Sequence, residues 1–113
     1  MYEYSAKMLR VIDGDTLEVD IDLGFKTILR KKKLRLSGID TPELRSKDIT
    51  ERARAKEAKQ FVESLIKPGD TIMIRTFRDR TGKYGRCIAT VWLKVDDRER
   101  SLTSLLLENN HKK

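Results

Sequence analysis

The chain has 113 residues, of which 38% are hydrophobic and 38% are charged, and its formal net charge is +7. This length suits one domain with a single modest core, so we expect residues 1–113 to form one domain. The positive charge favours polyanionic partners such as nucleic acid. The single cysteine, Cys87, excludes an intramolecular disulfide and a cysteine-rich zinc site. The single histidine, His111, argues against Ser/His and Cys/His catalysis.

No targeting or membrane segment is visible. The first residues have no apolar stretch of the kind found in signal peptides, and no apolar run approaches membrane-spanning length. We therefore expect a cytoplasmic protein without a membrane partner. The sequence also offers little exposed apolar surface for an obligate protein partner.

The first half of the chain is predicted to form three strands. Residues 4–12 form the first strand, which ends at the turn Asp13-Gly14-Asp15. Apolar and polar residues then alternate from Thr16 to Leu23, as in a half-buried second strand. The third strand covers about 26–37. Side chains alternate between the two faces of a strand. The predicted core face carries Ile28, Leu34 and Leu36. The opposite, basic face carries Lys31, Lys33 and Arg35.

The second half begins with a helix. Apolar residues at helical spacing predict it from about 51 to 66, with Thr50 as N-cap and Pro68-Gly69 as its stop. A fourth strand over about 72–77, a basic hairpin and a fifth strand over about 86–95 follow. A turn at Asp96-Asp97 leads into a short helix over about 102–109.

Five strands with one helix between strands three and four predict a mainly β fold with α (α+β). The expected architecture is a five-stranded OB-type barrel with one inserted helix and a short C-terminal helix. A plain α+β sheet with two helices is the alternative.

Two acidic turns contain the residue types of phosphodiester hydrolysis. The turn at Asp13-Gly14-Asp15-Thr16 taken alone is typical of a strand connection. A second acidic turn, Asp40-Thr41-Pro42-Glu43, supports a functional role for the first turn. Two aspartates from different turns and a backbone carbonyl would suit calcium completed by water. Glu43 can orient or deprotonate water.

Cationic residues flank these turns. Arg35 precedes the second turn, and arginine matches phosphate oxygens bidentately. The segment Gly82-Lys83-Tyr84-Gly85-Arg86 is either a hairpin tip with solvated charge or a phosphate-binding group, with Lys83 and Tyr84 beside Arg86. The run Arg30-Lys31-Lys32-Lys33 is either a solvated strand edge or a source of non-specific phosphate attraction.

The ordered set of motifs resembles the staphylococcal nuclease-like (thermonuclease) family over nearly the whole chain. The set is Asp13-Gly14-Asp15-Thr16, Arg35-Leu36, Gly38-Ile39-Asp40-Thr41-Pro42-Glu43, Glu57-Ala58, and Asp79 followed by Lys83-Tyr84-Gly85-Arg86. The resemblance implies an OB-fold barrel and calcium-dependent cleavage of single-stranded or frayed DNA and RNA. The products would carry 3′-phosphate and 5′-hydroxyl ends.

The resemblance also implies a role for each matching residue. Calcium would be held by Asp15, Asp40 and the carbonyl of Thr41. Glu43 would act on the attacking water as general base. The scissile phosphate would be held by Arg35 and Arg86, and Lys83 and Tyr84 would contact a substrate phosphate.

Three departures from the family pattern accompany the match, one of which is that many relatives carry a signal peptide and none is visible here. Typical members continue with a further helix beyond the position of Lys113, so the domain is expected to be C-terminally short. The loop from Leu44 to Thr50 is also short.

A non-catalytic nucleic-acid-binding module on the same barrel is the alternative function. The enzyme is favoured because all five expected active-site residues are present, namely Asp15, Arg35, Asp40, Glu43 and Arg86.

Overall fold

The computed structural model describes residues 2–76 and 87–113. Six strands and two helices lie in this part of the chain. In order they are β1 (Tyr2–Asp13), β2 (Thr16–Asp22), β3 (Ile28–Leu36), α1 (Ile49–Leu65), β4 (Thr71–Thr76), β5 (Cys87–Val95), β6 (Arg98–Ser101) and α2 (Leu102–Glu108).

The strands form one sheet in the order β3-β2-β1-β4-β5-β6. All neighbours in this order are antiparallel. A parallel pairing of Leu34–Leu36 on β3 with Cys87–Ala89 on β5 joins the two ends of the five-stranded part. The first five strands therefore close into a ring, and the predicted OB-type α+β fold is confirmed.

The core fills the inside of this ring because alternate residues of each strand face inward. Strand β2 shows the pattern clearly, since Leu17, Val19 and Ile21 are all almost fully buried. Helix α1 buries one face against the ring through Ala55, Ala58 and Val62. Two of these residues are alanines, so the helix backbone can approach the strands closely.

The predicted capping residue of α1 is wrong. The helix begins at Ile49, and its N-cap is Asp48, whose carboxylate accepts the backbone N–H of Thr50 at 2.9 Å. Thr50 therefore lies inside the first turn. Both residue types can cap a helix, and Asp48 has the extended backbone that a cap requires.

The predicted core position of Ile28 is also wrong, since 43% of this residue is exposed. The β2–β3 register shifts between Val19 and Ile21, where β3 has an extra residue. Asp20 accepts the backbone N–H of Lys31 at 2.9 Å within this bulge. One extra residue reverses the alternation of faces, so Leu29 rather than Ile28 packs against the core.

Strand β6 was not predicted. It follows the predicted turn, at which Asp96 and Asp97 both have positive φ, and it pairs with β5 outside the closed ring. Within the described segments, neither helix is long and apolar enough to cross a bilayer.

Candidate active site

Two turns and the end of a strand come together at one edge of the ring. The β2–β3 ladder pairs Thr16 with Arg35, so the turn before β2 lies beside the last residues of β3. The backbone N–H of Leu36 donates to the carbonyl of Asp15 at 2.8 Å, which fixes this arrangement. The acidic turn after β3 packs onto the same place. Sequence positions about 25 residues apart thereby become neighbours.

Asp15 is held rigidly at the centre of this site. Only 9% of the residue is exposed. Its carboxylate accepts the backbone N–H of Thr41 at 3.0 Å and the hydroxyl of Thr16 at 3.0 Å. A buried carboxylate is stabilised by such donors. Asp15 therefore joins the two acidic turns directly.

Arg35 connects the carboxylates to the backbone of the second turn. Its Nη1 donates to the carbonyls of Leu36 and Ile39 at 2.7 and 2.6 Å. Its Nη2 donates to the carboxylate of Asp40 and lies 3.4 Å from that of Asp15. The side chain is 18% exposed, whereas that of Asp40 is 78% exposed. Arg35 thus shapes the turn and presents a fixed guanidinium edge beside two carboxylates.

Gly14 allows the two turns and helix α1 to pack without a gap. A Cβ at this position would lie 2.9 Å from the Cβ of Ala58 and 3.1 Å from two side-chain atoms of Thr41. Both distances are shorter than ordinary contacts. Glycine and alanine are therefore needed here for close approach, and α1 supports the site from behind.

Glu43 lies at the solvent-facing side of the site and is exposed. It is close enough to Asp13 to influence its titration. Burial raises the pKa of the Asp13 carboxyl above its usual range, and the charges of Asp15 and Glu43 raise this pKa further. The N–H of Leu44 and the charge of Arg45 oppose the rise. The carboxyl groups of Asp13, Asp15 and Glu43 therefore lie close enough to influence one another.

The C-terminal residues lie along α1 and reach the same site. The backbone N–H of Lys113 donates to the carbonyl of Asp40 at 2.7 Å. Arg54 donates to the carbonyl of Lys112 at 2.6 Å, and the ring of His111 lies 4.8 Å from that of Phe61. These contacts hold the second acidic turn from its outer side.

The structure describes five of the eight predicted site residues. Asp15, Arg35, Asp40 and Thr41 are brought together, and Glu43 lies on the same turn. The predictions for Lys83, Tyr84 and Arg86 fall outside the described residues and stay predictions. Sequence reasoning named Gly14, Thr16 and Ala58 as parts of motifs but missed their supporting roles, and it missed the C-terminal residues entirely. Ala58 carried a signal only as part of the family pattern.

The donor chemistry of the cluster fits a hard cation. Carboxylates of Asp15 and Asp40 both approach the same Arg35 nitrogen, so they converge on one positive group. The buried hydroxyl of Thr41 has no hydrogen-bond partner among residues 2–76 and 87–113. The carboxylate oxygens suit calcium, whereas the Thr41 hydroxyl faces the side that packs against Gly14. Three acidic, cysteine or histidine side chains do not meet around one point anywhere in those two segments, so any cation would need backbone or water oxygens as well.

Comparison with known proteins gives a consistent match. Residues 33–110 match the family described as staphylococcal nuclease homologue. The chain is 33% identical to a thermonuclease of Staphylococcus hyicus over 80% of its own length and 50% of the relative's length. A thermonuclease of Staphylococcus intermedius is also 33% identical, over 74% and 46%. Endonuclease YhcR of Bacillus subtilis is 27% identical over 79% and 7%. The chain spans about half the length of the two thermonucleases.

Proposed function

Since the chain belongs to the staphylococcal nuclease homologue family, we propose that it is a calcium-dependent nuclease that hydrolyses phosphodiester bonds of DNA, RNA or both. The products are 3′-phosphate and 5′-hydroxyl ends. One observation carries this proposal: Arg35 holds the carboxylates of Asp15 and Asp40 at a single point. The names of the matched relatives, thermonuclease and endonuclease, agree with it.

Arg35 binds the scissile phosphate in this proposal. Attack on a phosphodiester increases the negative charge on the phosphoryl oxygens, so a fixed cation stabilises the transition state more than the substrate. The two backbone carbonyls that Nη1 contacts fix the guanidinium before substrate arrives. Its Nη2, which contacts the carboxylates of Asp15 and Asp40 in this structure, exchanges at least one of these contacts for the phosphate. Arg86 is the predicted second arginine.

Glu43 is the proposed general base. Its exposed carboxylate can take a proton from a water molecule that attacks the phosphorus atom. It lies on the same turn as Asp40 and Thr41, so the position of the base is coupled to that of the metal ligands. Lys83 and Tyr84 are predicted to contact a neighbouring phosphate of the substrate.

Asp15, Asp40 and the carbonyl of Thr41 would hold calcium. When bound, calcium supplies positive charge beside the scissile phosphate and orients the attacking water. The chain itself provides a rigid support for the ion, because Asp15 is fixed by Thr16 and by the backbone of Thr41. The net charge of +7 favours attraction of the polyanionic substrate.

The test is cleavage of end-labelled single-stranded DNA and RNA in calcium, in magnesium and with a calcium chelator. We expect cutting that depends on calcium and leaves 3′-phosphate ends. Absence of cutting in every metal, with salt-sensitive binding of the same strands retained, would contradict the proposal. That result would favour the alternative, a non-catalytic nucleic-acid-binding module of the same family.

A further inference from the structure

The tip of the β2–β3 hairpin exposes an aromatic ring far from the candidate active site. Phe25 is fully exposed, with a relative accessibility of 102%, and its neighbours Leu23 and Ile28 are 37% and 43% exposed. Burying a phenylalanine is normally strongly favourable. The ring therefore contributes little to the packing of this chain.

The backbone at the tip is unfavourable for this residue. The N–H of Thr27 donates to the carbonyl of Gly24 at 2.9 Å, which closes a tight turn. Phe25 and Lys26, the two central residues, have φ of 53° and 61°. Turns of this type favour asparagine or glycine, because other side chains rarely adopt the left-handed region. Neither packing nor turn geometry explains a phenylalanine here.

One lysine, Lys26, adjoins the ring, and three more follow along β3. Lysine side chains are exposed at the tip and along β3, at Lys26, Lys31, Lys32 and Lys33. The nearby aspartates are already engaged within the hairpin. Asp22 accepts the N–H of Gly24 at 2.8 Å, and Asp20 binds Arg30 and the N–H of Lys31. Within the described segments, none of the four lysines lies within ion-pair distance of a carboxylate.

Lys33 lies on β3 between the tip and the active site. The β2–β3 ladder pairs Asp22 with Ile28 near the tip and Thr16 with Arg35 at the site. At about 3.3 Å per residue, these ends are roughly 23 Å apart along β3. Lys33 and Arg35 are two residues apart and so lie on the same face. Lys33 therefore continues the positive charge of Arg35 along one face of β3 toward the tip, whereas Lys32 pairs with buried Val19 on the opposite face and Lys31 lies in the bulge.

We propose that this hairpin is an accessory binding site for single-stranded nucleic acid. A base stacks on Phe25, and Lys33 contacts a phosphate of the strand between that base and Arg35. This inference rests on the proposed function, because it assumes that the strand also reaches the active site. Aromatic rings combined with a basic groove are a common means of binding single strands without sequence preference. Basic and apolar residues can also bind a lipid surface, but such binding would not involve Arg35.

The first test compares Phe25→Asn with Phe25→Tyr in binding to single-stranded DNA of about 16 nucleotides, the upper range for one OB fold. The assay contains a calcium chelator, so that no turnover occurs. We expect Phe25→Asn to bind roughly 5- to 150-fold more weakly, which corresponds to the loss of one stacked base. Phe25→Tyr should keep its affinity. Asparagine suits a left-handed backbone, so the Tm of Phe25→Asn should not fall.

Matched controls separate this site from general surface effects. Leu107→Gln removes another exposed apolar side chain, on α2, and should bind like the wild type. Lys33→Gln should reduce the slope of log affinity against log salt by about 0.7, the value for one phosphate contact in a single strand. Lys56→Gln removes the same charge from the exposed surface of α1 and should leave the slope unchanged.

The outcomes distinguish this inference from the proposed function. Unchanged affinity in Phe25→Asn overturns the inference and leaves the nuclease proposal to its own cleavage test. If Phe25→Asn binds more weakly and the wild type cuts no substrate, the accessory site is supported and the nuclease proposal is contradicted. If Phe25→Asn loses binding to phosphatidylserine vesicles but keeps its affinity for DNA, the inference is overturned and the tip is a lipid contact.

Discussion

The two ends of the β2–β3 ladder differ in how they use polar and apolar groups. At the Thr16–Arg35 end, a buried carboxylate and an arginine are fixed by four hydrogen bonds to neighbouring groups. At the Asp22–Ile28 end, an aromatic ring is fully exposed on a left-handed turn. Rigid support is expected where catalytic groups must be positioned. An exposed ring is expected where a long, flexible ligand is contacted. One hairpin therefore combines both requirements.

Substitutions of Arg35 and Arg30, the two arginines of β3, should differ most strongly in their effects on cleavage and stability. Arg35→Lys should lower cleavage on the order of 10²- to 10³-fold, because lysine cannot replace the bidentate guanidinium. It should also lower the free energy of unfolding by about 1–3 kcal/mol, since two backbone carbonyls lose their donor. Steady-state cleavage and chemical denaturation measure the two effects.

Arg30→Lys is the matched control on the same strand. Arg30 forms an exposed ion pair with Asp20 at 3.3 Å, and such pairs contribute little to stability. We expect cleavage and stability close to those of the wild type. Equal effects of the two substitutions would contradict the view that the two ends have different roles.

Glu43→Gln should separate catalysis from structural support at the site end. The carboxylate is exposed, so its neutralisation should leave the Tm and the affinity for single-stranded DNA unchanged. Turnover should fall roughly 10²-fold or more, as is usual for removal of a general base. Single-turnover cleavage measures this directly, with Glu57→Gln on the exposed surface of α1 as the control. Wild-type turnover in Glu43→Gln would remove Glu43 from the mechanism.

Two glycine substitutions test the packing difference between the ends. Gly14→Ala should cost about 1–3 kcal/mol of unfolding free energy, because its Cβ would overlap Ala58 and Thr41. At the tip, a Cβ on Gly24 would meet nothing within 4 Å, and Asn tolerates its positive φ. Gly24→Asn should therefore be nearly neutral in denaturant unfolding. If Gly14→Ala is as stable as the wild type, the turn does not pack against α1 as described.

Local patterns in the sequence were sufficient for most of the fold. Alternation in β2 and the apolar stripe of α1 are properties of short segments, and short segments with a clear period are predictable. Strand β6 has the sequence Arg98-Glu99-Arg100-Ser101, which has no apolar period to detect. The exposed position of Ile28 depends on a bulge held by Asp20, and alternation alone cannot locate such a bulge.

The candidate site was predictable in its residue types but not in its connections. Arg35 and Asp40 were identified because their segment has no obvious structural need for them, and Asp15 was identified through the second acidic turn and the family resemblance. The bonds from Arg35 to the carbonyls of Leu36 and Ile39 depend on the folded path of the turn. The contact of Gly14 with Ala58 joins residues 44 positions apart, and only the tertiary structure brings them together.

The most direct test of the central claim is product analysis on one labelled single strand cut by the wild type and by Arg35→Lys in calcium. We expect the wild type to release fragments with 3′-phosphate ends and the variant to release the same fragments on the order of 10²-fold more slowly. Fragments with other ends, or equal rates for the two proteins, would contradict the assignment of Asp15, Arg35 and Asp40 to phosphodiester hydrolysis.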